Sequence, residues 1–409
     1  MDKQLTKPLP FWHLLLYFFM IGFTFVSTPK TGSTYVLYAR VVQAFELFFC
    51  LVLFVQNFRQ GIRFNRYNTF INLWWLTYTI IIYLFALTPM GLSPLFRWMN
   101  IIIFLLLGNC YWKDNMQESA RYMAIVFSFF IYLNALLLVI YPDGIWVDQE
   151  WVGRGDARRY LFGNYNQIGF VCLLGIMLQS IYSFTTKKGF FNLFCLIVVS
   201  LISVIYVGSM TSAVCLSALT CGIIFKRSIT RNMRLILLLF VVVYVLFFTF
   251  IIWNGNSIDE ISLATRFIEG ALSKDTTFSN RTEIWANAVD KIKENPIIGF
   301  GVQSVEWNDK YLGGSGPHNL WLMLLLQGGC ILCFSFIYII FRTIKVAVKE
   351  SNIVTTITTM GLLILLVMSQ FEIYNFIQIF VLLQIVYYSP NLVKKESDKE
   401  LTSTEEPTN

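Results

Sequence analysis

The sequence predicts an all-α polytopic membrane protein, with about twelve transmembrane helices and a large external loop that carries short amphipathic helices. Of its 409 residues, 56% are hydrophobic and 13% are charged, and the mean hydropathy of +0.62 lies outside the range of soluble domains. Basic residues cluster in alternate connecting segments, so the net charge of +7 is a signal of topology. The composition therefore excludes a soluble enzyme, and the charge gives no reason to expect nucleic acid as a partner.

Apolar runs long enough to cross a bilayer set the predicted organisation. The predicted spans lie near residues 11–27, 35–56, 68–88, 95–112, 122–141, 166–184, 190–207, 211–225, 235–253, 318–341, 353–371 and 374–389. The first span follows lysines as a signal peptide would, but no small-residue cleavage site comes after it, so we interpret it as uncleaved. The predicted regions are N-terminal helices over 1–141, a first external loop with central helices over 142–253, a large external loop over 254–317, C-terminal helices over 318–390 and a disordered cytoplasmic tail over 391–409.

The distribution of lysine and arginine predicts the orientation of the chain. One set of alternate loops holds the basic clusters, including Lys187-Lys188 and Lys226-Arg227, whereas the other set consists mostly of short uncharged turns. The positive-inside rule then puts both termini in the cytoplasm. Residues 142–163 and 254–317 remain as external segments, and the second of these is long enough to be functional.

The stretch from Arg281 to Gly329 joins a polar helix-forming segment to the start of an apolar span. Asn280 and Glu283 have the spacing of a capping box. Apolar side chains then recur on one helical face, at Ile284, Trp285, Ala288, Val289 and Ile292. This pattern predicts an amphipathic helix that can lie in the membrane interface and that ends at Asn295-Pro296. The glycines at 299 and 301 then permit a tight turn or a close approach of the backbone to a ligand.

His318 stands where the span 318–341 begins, after the helix-start signal Ser315-Gly316-Pro317. A helix N-terminus disfavours an imidazolium ion, so a histidine there tends to stay neutral and can act as a base. The alternative is a polar interface residue that caps the span, and the sequence pattern does not separate the two. If the histidine is not the base, the nearby carboxylates Glu283, Glu306 and Asp309 are the rival candidates.

Four arginines in the predicted external segments are candidates for binding an anion, because the positive-inside rule makes external arginines less expected: Arg158, Arg159, Arg266 and Arg281. Arg281 opens the amphipathic helix, where its charge opposes the helix dipole, although Glu283 is also a plausible structural partner for it. The pair Arg158 and Arg159 precedes the outer end of the sixth span, where anchoring to lipid headgroups is the alternative function.

Taken in order, these motifs resemble the signature of the O-antigen ligase/polymerase (Wzy-type) superfamily. The resemblance rests on Arg281-x-x-x-Trp285, Asn295-Pro296-Ile297-Ile298-Gly299-Phe300-Gly301, His318-Asn319 and Gly328-Gly329. An earlier external motif of the family is similar to Arg158/Arg159 followed by Gly163-x-x-Asn166-Gln167-x-Gly169. A weaker motif is similar to Ser209-Met210-Thr211-Ser212, which lacks the arginine that often follows the serine. The resemblance covers roughly residues 155–340, and the N-terminal spans match in hydropathy only.

The resemblance implies a bacterial glycosyltransferase at the external face of the plasma membrane, with no metal and no cofactor. Its donor would be a glycan on polyprenyl diphosphate, such as undecaprenyl diphosphate, and its acceptor a sugar hydroxyl on another lipid-linked unit. Because polyprenyl diphosphate leaves, the chemistry needs a base for the hydroxyl and cations for the diphosphate. The matching residues are His318 as the base, Arg281 and one of Arg158 and Arg159 at the diphosphate with Arg266 as a weaker candidate, and Asn166, Trp285, Gly299, Gly301 and Asn319 in support.

Three functions fit these features to different degrees. The first hypothesis is a repeat-unit polymerase of capsule, O-antigen or exopolysaccharide synthesis, for which the family implies a flippase and a chain-length regulator as partners. A ligase that moves a finished glycan to a different acceptor would use the same donor chemistry, so the motifs do not separate it from a polymerase. A lipid-linked oligosaccharide flippase is the alternative from another class. A transporter should carry charges near mid-membrane, whereas the conspicuous polar residues here gather in external segments.

Overall fold

The computed structural model describes residues 11–27, 66–85, 112–148, 157–253, 281–314, 316–350 and 352–392, together with residues 102, 105 and 152 and scattered helical positions between 41 and 59. The helices are α1 (Phe11–Phe25), α2 (Arg66–Phe85), α3 (Lys113–Ile140), α4 (Tyr165–Thr186), α5 (Phe190–Tyr206), α6 (Met210–Ile224), α7 (Lys226–Phe247), α8 (Arg281–Glu294), α9 (Val305–Leu312), α10 (Leu320–Lys349), α11 (Ile353–Met368) and α12 (Phe376–Tyr388). A π-helical turn, Phe248–Trp253, continues α7. Strands β1 (Trp146–Val147) and β2 (Arg158–Arg159) form a small antiparallel sheet.

Several of these helices can cross a membrane. Within the described ranges, four helices are long and apolar enough: Met116–Ile140, Tyr165–Thr186, Lys226–Trp253 and Leu320–Lys349. The helices α5, α6, α11 and α12 are shorter but also apolar. The structure thus agrees with an all-α integral membrane protein. The number of about twelve spans stays a prediction, because the segments 35–56 and 95–112 lie largely outside the described residues.

Some helices begin well before the apolar runs from which they were predicted. Helix α3 begins at Lys113 and α7 at Lys226, whereas the predicted spans begin at 122 and 235. The physical reason is that the helical backbone hydrogen bonds continue past polar residues wherever their side chains reach water. A count of apolar residues, in contrast, ends at the first charged turn.

The centre of the bundle is α4, whose side chains are buried from Ile168 to Ile181. It packs against α3, α5, α6 and α11, which explains why it is apolar on every face. Helix α7 is the opposite case, because most of its apolar side chains are exposed, as in a span that faces lipid. The position of α4 matters for function, since its N-terminal end carries Asn166.

A kink in α10 anchors the predicted glycine motif. Gly329 has φ +61°, which interrupts the helical backbone ladder there. Four backbone hydrogen bonds then join the kink to the segment after α8: Phe300 N–H to Leu326 O at 2.6 Å, Gly301 N–H to Gln327 O at 3.0 Å, Cys330 N–H to Pro296 O at 2.8 Å and Ile331 N–H to Ile297 O at 3.4 Å. A Cβ on Gly299 would lie 2.6 Å from the Leu326 oxygen, so glycine is needed at this approach.

The predicted apolar face of α8 is confirmed, but it packs against other parts of the protein. Its members Ile284, Trp285, Ala288, Val289 and Ile292 are all buried. The helix packs against α10 and against the π-helical turn after α7. The expected capping partner Asn280 lies outside the described residues, so the capping box stays a prediction.

Candidate active site

A carboxylate that the sequence analysis did not single out, Glu372, lies at the centre of the candidate site. It stands in the turn between α11 and α12, and its side chain is only 12% exposed. Asn166 Nδ2 donates a hydrogen bond to Glu372 Oε2 at 2.5 Å. Arg281 Nη2 lies 3.9 Å from the same oxygen, and His318 Nδ1 lies 3.9 Å from Glu372 Oε1. Three residues predicted from separate motifs therefore meet at one buried carboxylate.

The weaker serine motif orients Asn166. Ser209, at the start of α6, donates its hydroxyl hydrogen to Asn166 Oδ1 at 3.1 Å and lies 2.8 Å from the hydroxyl of Ser212. With Oδ1 occupied as an acceptor, the amide turns its Nδ2 donor toward Glu372. Gly169 permits this closeness of α4 and α6, because a Cβ there would lie 2.1 Å from the Ser212 oxygen.

Arg281 contacts the α11–α12 turn twice. Its Nη2 forms the ion pair with Glu372, and its Nη1 donates to the backbone carbonyl of Phe371. The alternative partner offered by the sequence, Glu283, is an exposed residue of α8. A guanidinium carries five N–H donors, so these two contacts leave donors that an anionic ligand can use.

His318 adopts a backbone conformation that is uncommon for a non-glycine residue. Its φ of +45° is in the left-handed region, which costs a non-glycine residue free energy and is found preferentially at functional sites. Its side chain is 25% exposed, so one edge of the ring can reach a ligand. The cap of α10 is Asn319, whose Oδ1 accepts from Trp321 N–H at 2.9 Å and Leu322 N–H at 3.0 Å. The capping role that was the alternative for His318 therefore belongs to its neighbour.

Asn319 also fixes the spacing between the histidine and the carboxylate. Its Nδ2 donates to the backbone oxygen of Gln370 at 2.9 Å and to the side-chain oxygen of the same residue at 3.0 Å. Leu320 N–H donates to Ser369 O at 3.0 Å. These bonds tie the start of α10 to the turn that carries Glu372, so His318 and Glu372 are held on two joined segments.

The charge of Glu372 is set by opposing effects. Burial alone would raise the pKa of the carboxyl group, but His318, Arg281 and the backbone N–H of Ile373 lower it, and the pKa lies below its ordinary value as a result. Glu372 is therefore an ionised carboxylate that accepts hydrogen bonds. A carboxylate of lowered pKa is a poor base, and the imidazole of His318 is the other group in this cluster that can accept a proton.

Trp285 supports the segment before the histidine. It is fully buried in α8, and its indole Nε1 donates to the backbone oxygen of Pro317 at 3.0 Å. Its ring also lies 6.4 Å from that of Phe371. Helix α8 thus contacts both segments of the site. Trp285 binds the segment before His318, and Arg281 binds the turn that carries Glu372.

The remaining predicted arginines differ from one another. Arg159 is buried, and it binds Asp148 across the small sheet, with Nε and Nη2 each 3.2 Å from Oδ2. Its Nη1 also donates to the backbone oxygen of Arg158 at 3.0 Å. The side chain of Arg158 is exposed. Arg266 lies outside the described residues, so its assignment stays a prediction.

Comparison with known proteins supports the family that the motifs resemble. Residues 194–337 match the protein family described as O-antigen ligase (Wzy_C). No curated protein and no solved structure gives a significant match. The matched segment includes Ser209, Arg281 and His318, whereas Asn166 and Glu372 lie outside it.

The fold and the family match together indicate the class of protein. The protein is an integral membrane protein, and the matched family consists of glycosyltransferase-like enzymes with lipid-linked glycan substrates. The match covers about a third of the chain, and it supports the resemblance to the O-antigen ligase/polymerase superfamily that was found in the sequence.

Proposed function

We propose that this protein is a polysaccharide polymerase that transfers a polyprenyl-diphosphate-linked glycan onto a sugar hydroxyl of another lipid-linked repeat unit. The observation that carries the proposal is the convergence of Asn166, Arg281 and His318 on Glu372. An exposed histidine edge beside an arginine provides the two groups that the transfer needs, a base and a cation. The reaction would take place at the external face of a bacterial plasma membrane, without a metal.

His318 acts as the base in this mechanism. Glu372 faces Nδ1, so it favours the tautomer that carries the hydrogen there and leaves Nε2 to accept a proton. The separation of 3.9 Å is longer than a hydrogen bond, as is common before substrate is bound. Nε2 takes the proton of the acceptor hydroxyl. At the same time, the hydroxyl oxygen of the acceptor forms a bond to the anomeric carbon of the donor sugar.

Arg281 stabilises the leaving group. The bond between the anomeric carbon and the diphosphate oxygen breaks, and its electron pair stays with polyprenyl diphosphate. A guanidinium can form two parallel hydrogen bonds to phosphate oxygens, and it does so most strongly where water is scarce. The side chain of Arg281 is 18% exposed, which meets that condition. Arg158, with its exposed side chain, is the better placed of the 158/159 pair to add a second cation.

The position of the cluster favours transfer over transport. Arg281 begins a helix, His318 precedes one, and Glu372 lies in a turn between two, so all three charged or titratable groups are at helix ends. A transporter would carry such groups at the broken middles of its spans. The choice of polymerase over ligase rests on the hypothesis that acceptor and donor are the same kind of molecule.

The test is a transfer assay with purified protein in lipid nanodiscs and one defined lipid-linked repeat unit. A polymerase gives a ladder of longer lipid-linked products, and Arg281→Ala gives none. A product that forms only when a different acceptor is added identifies a ligase. Inward movement of the lipid-linked unit across a liposome membrane without any transfer would refute the enzymatic proposal.

A further inference from the structure

An apolar groove of about 560 Å³ lies between α7, α10 and α11. Its volume is in the range of ligand pockets. Aromatic rings form much of its wall, among them Phe240, Tyr244, Phe248, Trp253, Trp321 and Phe334. Its walls come from two candidate membrane spans and one shorter apolar helix, so a ligand in it would lie within the membrane.

Two polar side chains of the wall, Tyr244 and Trp321, are already paired within the protein. Trp321 Nε1 donates to the Tyr244 hydroxyl oxygen at 2.5 Å, and that hydroxyl donates to the backbone oxygen of Leu366 at 3.0 Å. The wall therefore offers a ligand carbon surface, and a hydrocarbon chain is the chemistry that fits it.

One side of the groove is open toward the bilayer. Among its lining residues, Val241, Val245, Phe334 and Phe341 are each more than half exposed, while Trp321 and Leu366 at its floor are buried. A long chain that already lies in the membrane can thus enter sideways.

The groove lies next to the candidate active site. Trp321 follows His318 by three positions on the same segment, and the ring of Phe247 lies 5.7 Å from that of Phe371. Phe371 receives the hydrogen bond from Arg281 and directly precedes Glu372. A ligand whose anionic head contacts Arg281 therefore has the groove as an adjacent apolar surface for its tail.

We propose that this groove binds the isoprene units next to the diphosphate of the lipid-linked substrate; this inference rests on the function proposed above. A polyprenyl chain is the occupant because the groove lies next to the turn that Arg281 contacts and is open toward the bilayer along one side. Hydrocarbon surrounds the protein in the membrane, so the hydrophobic effect does not favour the groove over lipid. Selection must come from the fit of a stiff, methyl-branched chain to the aromatic wall.

The test uses a photoreactive polyprenyl diphosphate without sugar, and the full chain in phosphatidylglycerol nanodiscs. Labelled peptides should map to α7 and α10, and unlabelled polyprenyl diphosphate should compete, whereas excess phosphatidylglycerol should not. Val241→Trp fills the groove from its rim, and Val245→Trp serves as a second groove variant. Each should lower labelling by about threefold to tenfold, the size expected for lost packing contacts in lipid. Val243→Trp, on the same helix and also exposed but not lining the groove, should label as the wild type does.

Equal labelling in the groove variants and in Val243→Trp would overturn the proposal, and so would full displacement of the probe by phospholipid. The probe carries no glycan, so binding and transfer are read separately. If the wild-type protein is labelled in the groove but transfers no glycan, the proposed function is refuted and the groove proposal stands. If transfer is normal but Val241→Trp is labelled as strongly as the wild type, the groove proposal is refuted and the proposed function stands.

Discussion

His318 Nδ1 faces the carboxylate of Glu372 at 3.9 Å, although one residue precedes α10 and the other follows α11. The Asn319 side chain binds the turn that carries Glu372, so the two groups are held by segments joined through a third residue. This relationship gives the imidazole a defined partner at Nδ1, and the proposed mechanism uses Nε2 for the acceptor hydroxyl.

Removing the histidine should abolish most of the transfer activity. His318→Ala and His318→Gln should each reduce product formation by about two to four orders of magnitude, the range for loss of a general base. Glutamine keeps a hydrogen-bonding side chain but cannot accept the proton, so it separates catalysis from positioning. The matched control is His13→Gln in α1, which should retain activity. Substantial turnover by His318→Gln would falsify the assignment of the base.

Neutralising Glu372 should impair the site without removing it. Glu372→Gln loses the charge that faces His318 and Arg281, so we expect about a hundredfold lower transfer, as for a misplaced catalytic group. Glu372→Asp should recover part of the activity, and the measurement is the rate of transfer at saturating substrate. Glu283→Gln and Asp309→Asn change exposed carboxylates and should behave as wild type. If either of those variants were inactive while Glu372→Gln transferred glycan normally, Glu283 or Asp309 would be the better candidate for the base.

The lowered pKa of Glu372 predicts how its contribution to stability depends on pH. A carboxyl group whose pKa is lower in the folded protein contributes its full stabilisation of the fold when the pH is above its ordinary pKa of about 4.3. This contribution is lost as the pH falls through the lowered pKa of the folded protein. The difference in thermal stability between wild type and Glu372→Gln should therefore be constant from pH 8 to about 5 and should shrink below about 4.3. Thermal unfolding in nanodiscs across this range measures it; a difference that grows as the pH falls would mean that the pKa is raised.

The neighbouring arginines 158 and 159 should separate into two different roles. Arg159→Ala removes the buried contacts to Asp148, so it should lower the free energy of unfolding by about 1.5–3 kcal/mol. Asp148→Asn should have a similar effect, and the double variant should cost less than the sum of the two. Arg158→Ala should cost less stability than Arg159→Ala, because its side chain is exposed, and it should reduce transfer. The reverse pattern, with Arg158 stabilising and Arg159 needed only for transfer, would contradict the structure.

Glycine at 299 should be needed for the fold of the site. In Gly299→Ala the new Cβ meets the Leu326 oxygen and φ is +75°, so the variant should be destabilised by about 1–3 kcal/mol and should lose activity. Gly316→Ala is the matched control, since its Cβ would have 4.0 Å to the nearest heavy atom. Equal thermal stability of the two variants would show that the approach of the loop to α10 is not tight.

The sequence identified most of the cluster but not its centre. Arg281, His318 and Asn166 belong to motifs with recognisable spacing, whereas Glu372 is a single residue in a turn between two apolar runs. A signal did exist, because Glu372 is the only charged residue in 353–392. An isolated carboxylate between two spans is costly and therefore functional by default. No local pattern could reveal that it faces Arg281, because that contact depends on tertiary packing.

Other differences have the same origin. The apolar face of α8 was predicted correctly, since helical periodicity reports which side chains avoid water. Periodicity does not report what covers the face, so lipid was expected where α10 and the π-helical turn lie. In the same way, the glycines 299 and 301 indicated a close approach, and what approaches is the backbone of α10.

The kink at Gly329 constrains how substrates can come and go. The carbonyls of Leu326 and Gln327 accept hydrogen bonds from Phe300 and Gly301, in the segment that follows α8. If this segment moved outward as a lid, both carbonyls would lose their donors in the apolar layer, at a cost of several kcal/mol each. The segment is therefore mechanically a part of the helical bundle. Any opening of the site to a ligand has to rely on motion elsewhere.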